Sequence, residues 1–302
     1  MPADTTAPKW SNFEAAVSEK AKSRATRSMR DAYDALSLPL LVQWLFDQER
    51  IHPAYGVSRK DLYRLAFRMY RNTQAVPTGI SYRAHLAMAA KLLETPPEVK
   101  GAIVECGCWV GGTTANLSLI ADMVGRDLIV YDSFEGLPPG EEKDKRAKPN
   151  LEGYFRGDLD VVEANVRRHG AIDRVELRKG WFDATLPHHT EPIELCFIDV
   201  DFDASLHDCV VNLWPHLNPK GHLFLDEYVM LDYCALFFSE RFWDRHFDAP
   251  PPGLMGTGTG IGLGQYFLGP FALKVRPRSI AYTRKNFYGR WDYERDDPPG
   301  DR

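Results

Sequence analysis

The stretch that most constrains this chain is Ala102-Ile103-Val104-Glu105-Cys106-Gly107-Cys108-Trp109-Val110-Gly111-Gly112-Thr113. An apolar, β-branched run ends in an acid, passes through spaced glycines, and opens into the helical period Leu117, Ile120, Ala121 and Val124. The change of period reads as strand, tight turn, helix. In an open α/β sheet such a turn lies at the carboxyl end of the first strand, where the strand order reverses and a crevice opens for a ligand. A dinucleotide site wants G-x-G-x-x-G, because its second glycine lets the backbone approach a pyrophosphate. Here that position is Cys108, followed by the bulky Trp109, which disfavours a dehydrogenase.

Beyond this turn, strand and helix patterns alternate, the signature of βαβ units and a parallel sheet. The spacing predicts a second strand over Leu128–Asp132, whose terminal acid falls 21 residues after Gly111. That spacing suits a carboxylate accepting hydrogen bonds from both hydroxyls of a ribose. Ser133 to Pro138 leads into the charge-dense segment Glu141–Lys148, which reads as a lid loop or a solvated stretch. A helix over Val161–His169 is followed by Gly170, and a third strand by Arg174–Lys179. Gly180-Trp181-Phe182 then offers aromatic rings that either flank an adenine or fill the core. His188-His189 reads as a surface pair.

Two further apolar strands end in acids: Asp199, Asp201 and Asp203 after one, Asp226 and Glu227 after the next. Neighbouring strands lie about 5 Å apart, so acids leaving their carboxyl ends converge, and converging carboxylates need a cation or shared protons. Asp199, Asp226 and Glu227 thus form a candidate all-oxygen site for Mg²⁺. Asp201, on the same side as Asp199 if the chain stays extended, is the candidate general base.

The first hundred residues carry no glycine-rich chemistry. Leu40, Leu41, Trp44 and Leu45 fall on one helical face. Ser58 to Asp61 forms a capping box ahead of Leu62, Leu65, Ala66, Met69 and Tyr70, and a helix over Tyr82–Leu93 stops at Pro96-Pro97. Residues 1–100 are therefore expected as a helical cap beside the sheet, 101–290 as the α/β domain, and 291–302 as a polar tail. The basic positions Lys20, Lys22, Arg24, Arg27 and Arg30 read as a solvated face or an arm for an anionic partner. Tyr233 to Phe247 reads as one aromatic-rich helix. The glycine-rich run 256–264 reads as a flexible loop, and 265–268, 272–275 and 280–283 as the last strands.

With 302 residues, one sizeable core with appendages is the default. No apolar run approaches the roughly 20 residues that cross a bilayer, and no signal-like start is present, so no membrane partner is expected and the cytoplasm is the expected location. The five cysteines (Cys106, Cys108, Cys196, Cys209, Cys234) sit mostly in apolar segments and read as reduced core residues. A net charge of −5 argues against nucleic acid as the main partner.

The E-x-G-x-x-x-G turn resembles the first motif of class I S-adenosylmethionine (SAM) methyltransferases. Five stretches together resemble the macrocin O-methyltransferase (TylF-type) family: Val104–Gly112, Tyr131–Pro138, Gly180–Pro187, Ile198–Ser205 and Leu225–Tyr228. The resemblance implies a Rossmann-like, doubly wound seven-stranded α/β sheet. It implies SAM contacts at Glu105, Gly107, Gly111, Thr113, Asp132, Ser133, Gly180, Trp181, Phe182 and Asp199. It further implies Mg²⁺ on Asp199, Asp226 and Glu227, a general base at Asp201, a homodimer, and a hydroxyl on the sugar of a small glycosylated metabolite as acceptor. The chain departs from the family pattern at Val110 (usually Arg), Glu227 (usually Asp) and Asp203 (usually Tyr). Two alternatives stand beside this reading: a metal-independent methyltransferase in which Asp201 or a histidine acts alone, and a relative that binds SAM or a metabolite without catalysis.

Overall fold

The computed structural model of the chain describes residues 24–139, 151–226, 231–257 and 280–285. Several expected features lie outside these residues: Glu227, the 141–148 segment, most of the glycine-rich run, the strands at 265–268 and 272–275, the first 23 residues, and the tail.

Three helices precede the sheet: α1 (Arg24–Leu45), α2 (Arg59–Ala75) and α3 (Tyr82–Glu94). The capping box forms as read, with the Ser58 hydroxyl accepting from the Asp61 N–H and the Asp61 carboxylate accepting from the Ser58 N–H. It fixes the start of α2, whose Leu62, Leu65, Ala66, Met69 and Tyr70 are buried. Helix α3 is buried on almost every side. On α1 the expected apolar face splits: Leu41 and Leu45 pack against the core, while Leu40 and Trp44 stay 68% and 71% exposed; Leu38, Val42 and, just past the helix, Phe46 are the buried residues. The reason is that α1 packs on α2 and α3 along one narrow stripe, so the apolar residues off that stripe remain in solvent.

The α/β part runs β1 (Ala102–Cys106), α4 (Gly112–Val124), β2 (Leu128–Asp132), α5 (Leu159–His169), β3 (Val175–Lys179), α6 (Phe182–Thr185), β4 (Ile193–Ile198), α7 (Asp203–Leu213), β5 (Leu217–Leu225), α8 (Leu231–Leu236), α9 (Glu240–Phe247), β6 (Met255–Gly256) and β7 (Ala281–Arg284). The expected single helix over Tyr233–Phe247 is two, because the Ser239 hydroxyl caps a fresh start by accepting from the Phe242 N–H. The seven strands order as β3-β2-β1-β4-β5-β7-β6. The first five pair in parallel, and β7 pairs antiparallel to β5 and β6. Strand order reverses between β1 and β4, so the expected crevice lies at their carboxyl ends.

Side-chain alternation divides the core in two. Ile103, Val130, Phe197 and Phe224 face a layer shared with α1, α2, α3, α4 and α5. Val104, Tyr131, Ile198 and Leu225 face the layer with α7, α8 and α9. By the same alternation, Glu105, Asp132, Asp199 and Asp226 continue the rows that face α3 and α4. All five cysteines are free and buried, as the sequence suggested.

Candidate active site

The turn after β1 is built by close backbone approach. Gly107 has φ of 84°, and a Cβ there would lie 1.9 Å from the Asp199 carbonyl oxygen. A side chain would therefore force the ends of β1 and β4 apart. Trp109 also sits at positive φ and meets Phe155 edge-on at 5.5 Å. The Val110 carbonyl accepts from Asn165 Nδ2 at 2.8 Å, so α5 clamps the turn at the position where the family pattern departs. Gly111 stands immediately before α4 as its N-cap.

Glu105 is fully buried at the floor of this turn. Neither carboxylate oxygen meets a hydrogen-bond partner at ordinary geometry. Burial pushes its carboxyl up to about 8; the neighbouring Thr114 hydroxyl offsets part of that and the Asp132 charge adds to it. Asp132 is also raised by burial, against the lowering effect of the Cys108 thiol and of the Cys108, Phe134 and Trp109 backbone N–H groups, of which two make direct hydrogen bonds. Those two are the Cys108 N–H to Oδ2 and the Phe134 N–H to Oδ1, both at 2.7 Å. Asp132 thus ties the glycine turn to the loop after β2. A carboxylate has about four acceptor sites, so capacity remains for further donors.

Ser133, expected at the cofactor, is occupied locally: its hydroxyl donates to the Gly136 carbonyl and accepts from the Glu135 N–H. The Gly180 N–H donates to the Asp132 carbonyl at 3.0 Å, which sets Trp181 beside the end of β2. Trp181 is 36% exposed, whereas Phe182 packs into the core under α7. Phe182 therefore helps fill the core, and Trp181 does not. His189 is buried rather than on the surface, since its Nδ1 pairs with the Tyr131 hydroxyl at 2.9 Å and its Nε2 with the Glu191 carbonyl at 2.8 Å. His188 remains exposed.

Asp199 and Asp226 directly follow Ile198 and Leu225, the last paired residues of β4 and β5. The Asp199 N–H donates to Cys106 O at 3.0 Å, and the Asp226 N–H to Ile198 O at 3.1 Å. Among the described residues no three His, Cys, Asp or Glu side chains group as a metal site; the third expected ligand, Glu227, lies outside them. Asp201 does not continue an extended strand. The chain turns at 199–202 to start α7, Asp201 has φ of 61°, and the Tyr233 hydroxyl donates to its carbonyl.

The sequence reading missed one contributor, the turn Pro77-Thr78-Gly79 ahead of α3. A Cβ on Gly79 would lie 2.9 Å from Asp199 Oδ2, and Thr78 Oγ1 pairs with Thr113 Oγ1 at 2.8 Å. A Pro-x-Gly turn just before a helix was the available signal.

The profile of the family described as Macrocin-O-methyltransferase (TylF) matches residues 78–250, more than half of the chain. The chain belongs to this family. Among curated relatives, it is 33% identical over 147 residues to the 8-demethyl-8-(2,3-dimethoxy-alpha-L-rhamnosyl)-tetracenomycin-C 4'-O-methyltransferase of Streptomyces olivaceus, covering 45% of this chain and 56% of that protein. It is 31% identical over 165 residues to the Mycinamicin III 3''-O-methyltransferase of Micromonospora griseorubida, covering 49% and 62%. It is 30% identical over 148 residues to the Demethyldecarbamoylnovobiocin O-methyltransferase of Streptomyces niveus, covering 45% and 56%. The chain thus spans somewhat over half the length of the curated relatives it matches. The solved O-methyltransferase NovP shares the fold, with a TM-score of 0.57 at 22% identity over 83% of this chain and 99% of that one. The family match begins at Thr78, in the turn that packs on Asp199.

Proposed function

We propose that the protein is a SAM-dependent O-methyltransferase that acts in the cytoplasm on a sugar hydroxyl of a small glycosylated metabolite. The observation that carries this reading is the row of buried and half-buried acids Glu105, Asp132, Asp199 and Asp226 on one face of the switch point, in a chain of this family. SAM is cationic at its sulfonium and ammonium, and an acid-lined crevice without a phosphate nest suits it. Asp132 has acceptor capacity for a ribose, and the exposed Trp181 stands where an adenine ring would follow. The three relatives are named as O-methyltransferases of a rhamnosyl-tetracenomycin, of demethyldecarbamoylnovobiocin and of mycinamicin III. That support extends to this chain as a class of acceptor.

When bound, SAM supplies an electrophilic methyl group, and a divalent cation supplies positive charge beside the acceptor oxygen. Asp199 and Asp226, hard oxygen donors just past the ends of the neighbouring strands β4 and β5, would hold Mg²⁺ as two ligands, with Glu227 as the third. Asp201 is the proposed base on its place in the family motif, since the turn at 199–202 removes the extended-chain argument for it; it would take the proton of the acceptor hydroxyl. The products are a methyl ether and S-adenosylhomocysteine. The departure at Glu227 supports a second reading, in which the protein works without metal. Full activity after exhaustive chelation selects that reading, and recovery on adding Mg²⁺ alone selects the first. A homodimer completes the proposal, with Leu36, Leu40 and Trp44 of α1 as exposed apolar surface; light scattering tests it. Calorimetry with SAM tests the reading as a whole, because a folded protein that does not bind SAM is not a methyltransferase of this kind.

A further inference from the structure

A chain of polar side chains runs through the apolar interface between α2, α3 and α4, where packed Leu and Met would be the default. Asn72, His85, Thr113 and Asn116 are all buried, His85 and Asn116 completely. The directions of their hydrogen bonds can be assigned in full. Asn72 Nδ2 donates to the His169 carbonyl and to Asn116 Oδ1, both at 2.9 Å. Asn116 Nδ2 donates to the Met69 carbonyl at 3.2 Å and lies 2.8 Å from His85 Nδ1. Because Asn116 Nδ2 is a donor, His85 Nδ1 accepts and the imidazole proton sits on Nε2. His85 Nε2 is 3.3 Å from Thr113 Oγ1, which therefore accepts, and Thr113 passes its own proton to Thr78 Oγ1 at 2.8 Å. Thr78 in turn donates to the Ile80 carbonyl at 3.2 Å. From Asn72 through Asn116, His85, Thr113 and Thr78 to the Ile80 carbonyl the hydrogen bonds run one way, and the second amide protons of Asn72 and Asn116 are taken by the His169 and Met69 carbonyls. Burial pushes the His85 imidazole down to about 3, so it stays neutral and the assignment does not change near neutral pH.

The chain ends at the turn that reaches the crevice. A Cβ on Gly112 would meet the Pro77 carbonyl oxygen at 2.2 Å, and one on Gly79 would meet Asp199 Oδ2 at 2.9 Å. The turn is thus wedged between the start of α4 and the end of β4. A fully satisfied buried network specifies one arrangement where an apolar layer would tolerate several. We infer that His85 is a positioning residue: through Thr113 and Thr78 it fixes the 77–80 turn against the carboxyl ends of β1 and β4, and so presets the mouth of the cofactor crevice. This inference rests on the SAM reading for its functional consequence, and on geometry alone for its structural one.

Two variants separate positioning from space filling. His85→Leu keeps an apolar filler and removes both polar contacts; His85→Gln keeps one acceptor and one donor in the same 1,3 relation. Amide hydrogen exchange on the ligand-free protein is read first, over a peptide spanning residues 76–81. The expected result is at least ~10-fold faster exchange in His85→Leu and near wild-type exchange in His85→Gln, with similar melting temperatures. SAM calorimetry is read second, with the dissociation constant expected to rise roughly 10-fold in His85→Leu and less than about 3-fold in His85→Gln. Unchanged exchange in His85→Leu overturns the inference, as does a loss in both variants that tracks melting temperature. If exchange behaves as expected while even the wild type ignores SAM, the positioning stands and the SAM reading fails.

Discussion

Replacing Glu105 by Gln isolates the cost of holding an acid at the floor of the crevice. In the folded protein its carboxyl titrates near 8, mainly because it is fully buried, whereas an ordinary glutamate titrates near 4.5. At pH 7 the fold must keep a proton on a group that would lose it about 2.5 pH units lower. At ~1.4 kcal/mol per unit this costs roughly 3 kcal/mol. Gln is isosteric and neutral, and its buried amide replaces a buried protonated carboxyl, so most of that cost disappears. Because the folded value is raised, wild-type stability is intact below about pH 4.5 and falls as pH rises toward 8. The variant lacks this slope. Its advantage should be under about 1 kcal/mol at pH 5, roughly 3 kcal/mol at pH 7, and level above pH 8. Urea unfolding followed by tryptophan fluorescence at pH 5, 6, 7 and 8 measures it. A variant no more stable than wild type at pH 7, or more stable by the same amount at every pH, would refute the reasoning.

Other substitutions probe the remaining parts. Gly107→Ala places a Cβ 1.9 Å from the Asp199 carbonyl oxygen at a φ of 84°, and is expected to cost at least ~2 kcal/mol and to abolish SAM binding by calorimetry. Trp181→Ala removes a side chain that is 36% exposed, so unfolding should shift by less than about 1 kcal/mol. SAM affinity should meanwhile fall roughly 3- to 10-fold. Asp201→Asn should retain SAM affinity while the turnover rate drops by about 100-fold or more, read by product mass spectrometry. Chelation should remove activity that Mg²⁺ restores, with SAM affinity in calorimetry changing little.

Where periodicity and turn chemistry agree, the sequence was legible to the residue. Strand Leu128–Asp132 and the Ser58 capping box are where they were expected, and the first strand starts at Ala102 as read. The alternation of strands also placed Glu105, Asp132, Asp199 and Asp226 at one end of the sheet, because acids that terminate parallel strands have nowhere else to go. Less legible was anything decided by contacts between distant segments. Whether Trp181 or Phe182 enters the core depends on α7, and whether Leu40 and Trp44 are covered depends on α2 and α3. His189 reads as a surface residue until Tyr131, 58 positions away, supplies its partner. Asp201 was expected on an extended chain, but helix α7 begins at Asp203 and the backbone must turn before it. The 77–80 turn escaped notice because its importance lies in what it touches, Gly112 and Asp199, and not in its own composition.

The measurement that bears most directly on the proposed activity is transfer of an isotopically labelled methyl group from SAM to a glycosylated acceptor, followed by mass spectrometry of the product. Incubation of the folded protein with a panel of sugar-bearing acceptors should yield an acceptor heavier by one labelled methyl, with fragmentation placing it on a sugar oxygen, and an equal amount of S-adenosylhomocysteine. Label on nitrogen or carbon, or a protein that holds SAM tightly yet methylates no hydroxyl in the panel with or without Mg²⁺, would contradict O-methyl transfer at this site.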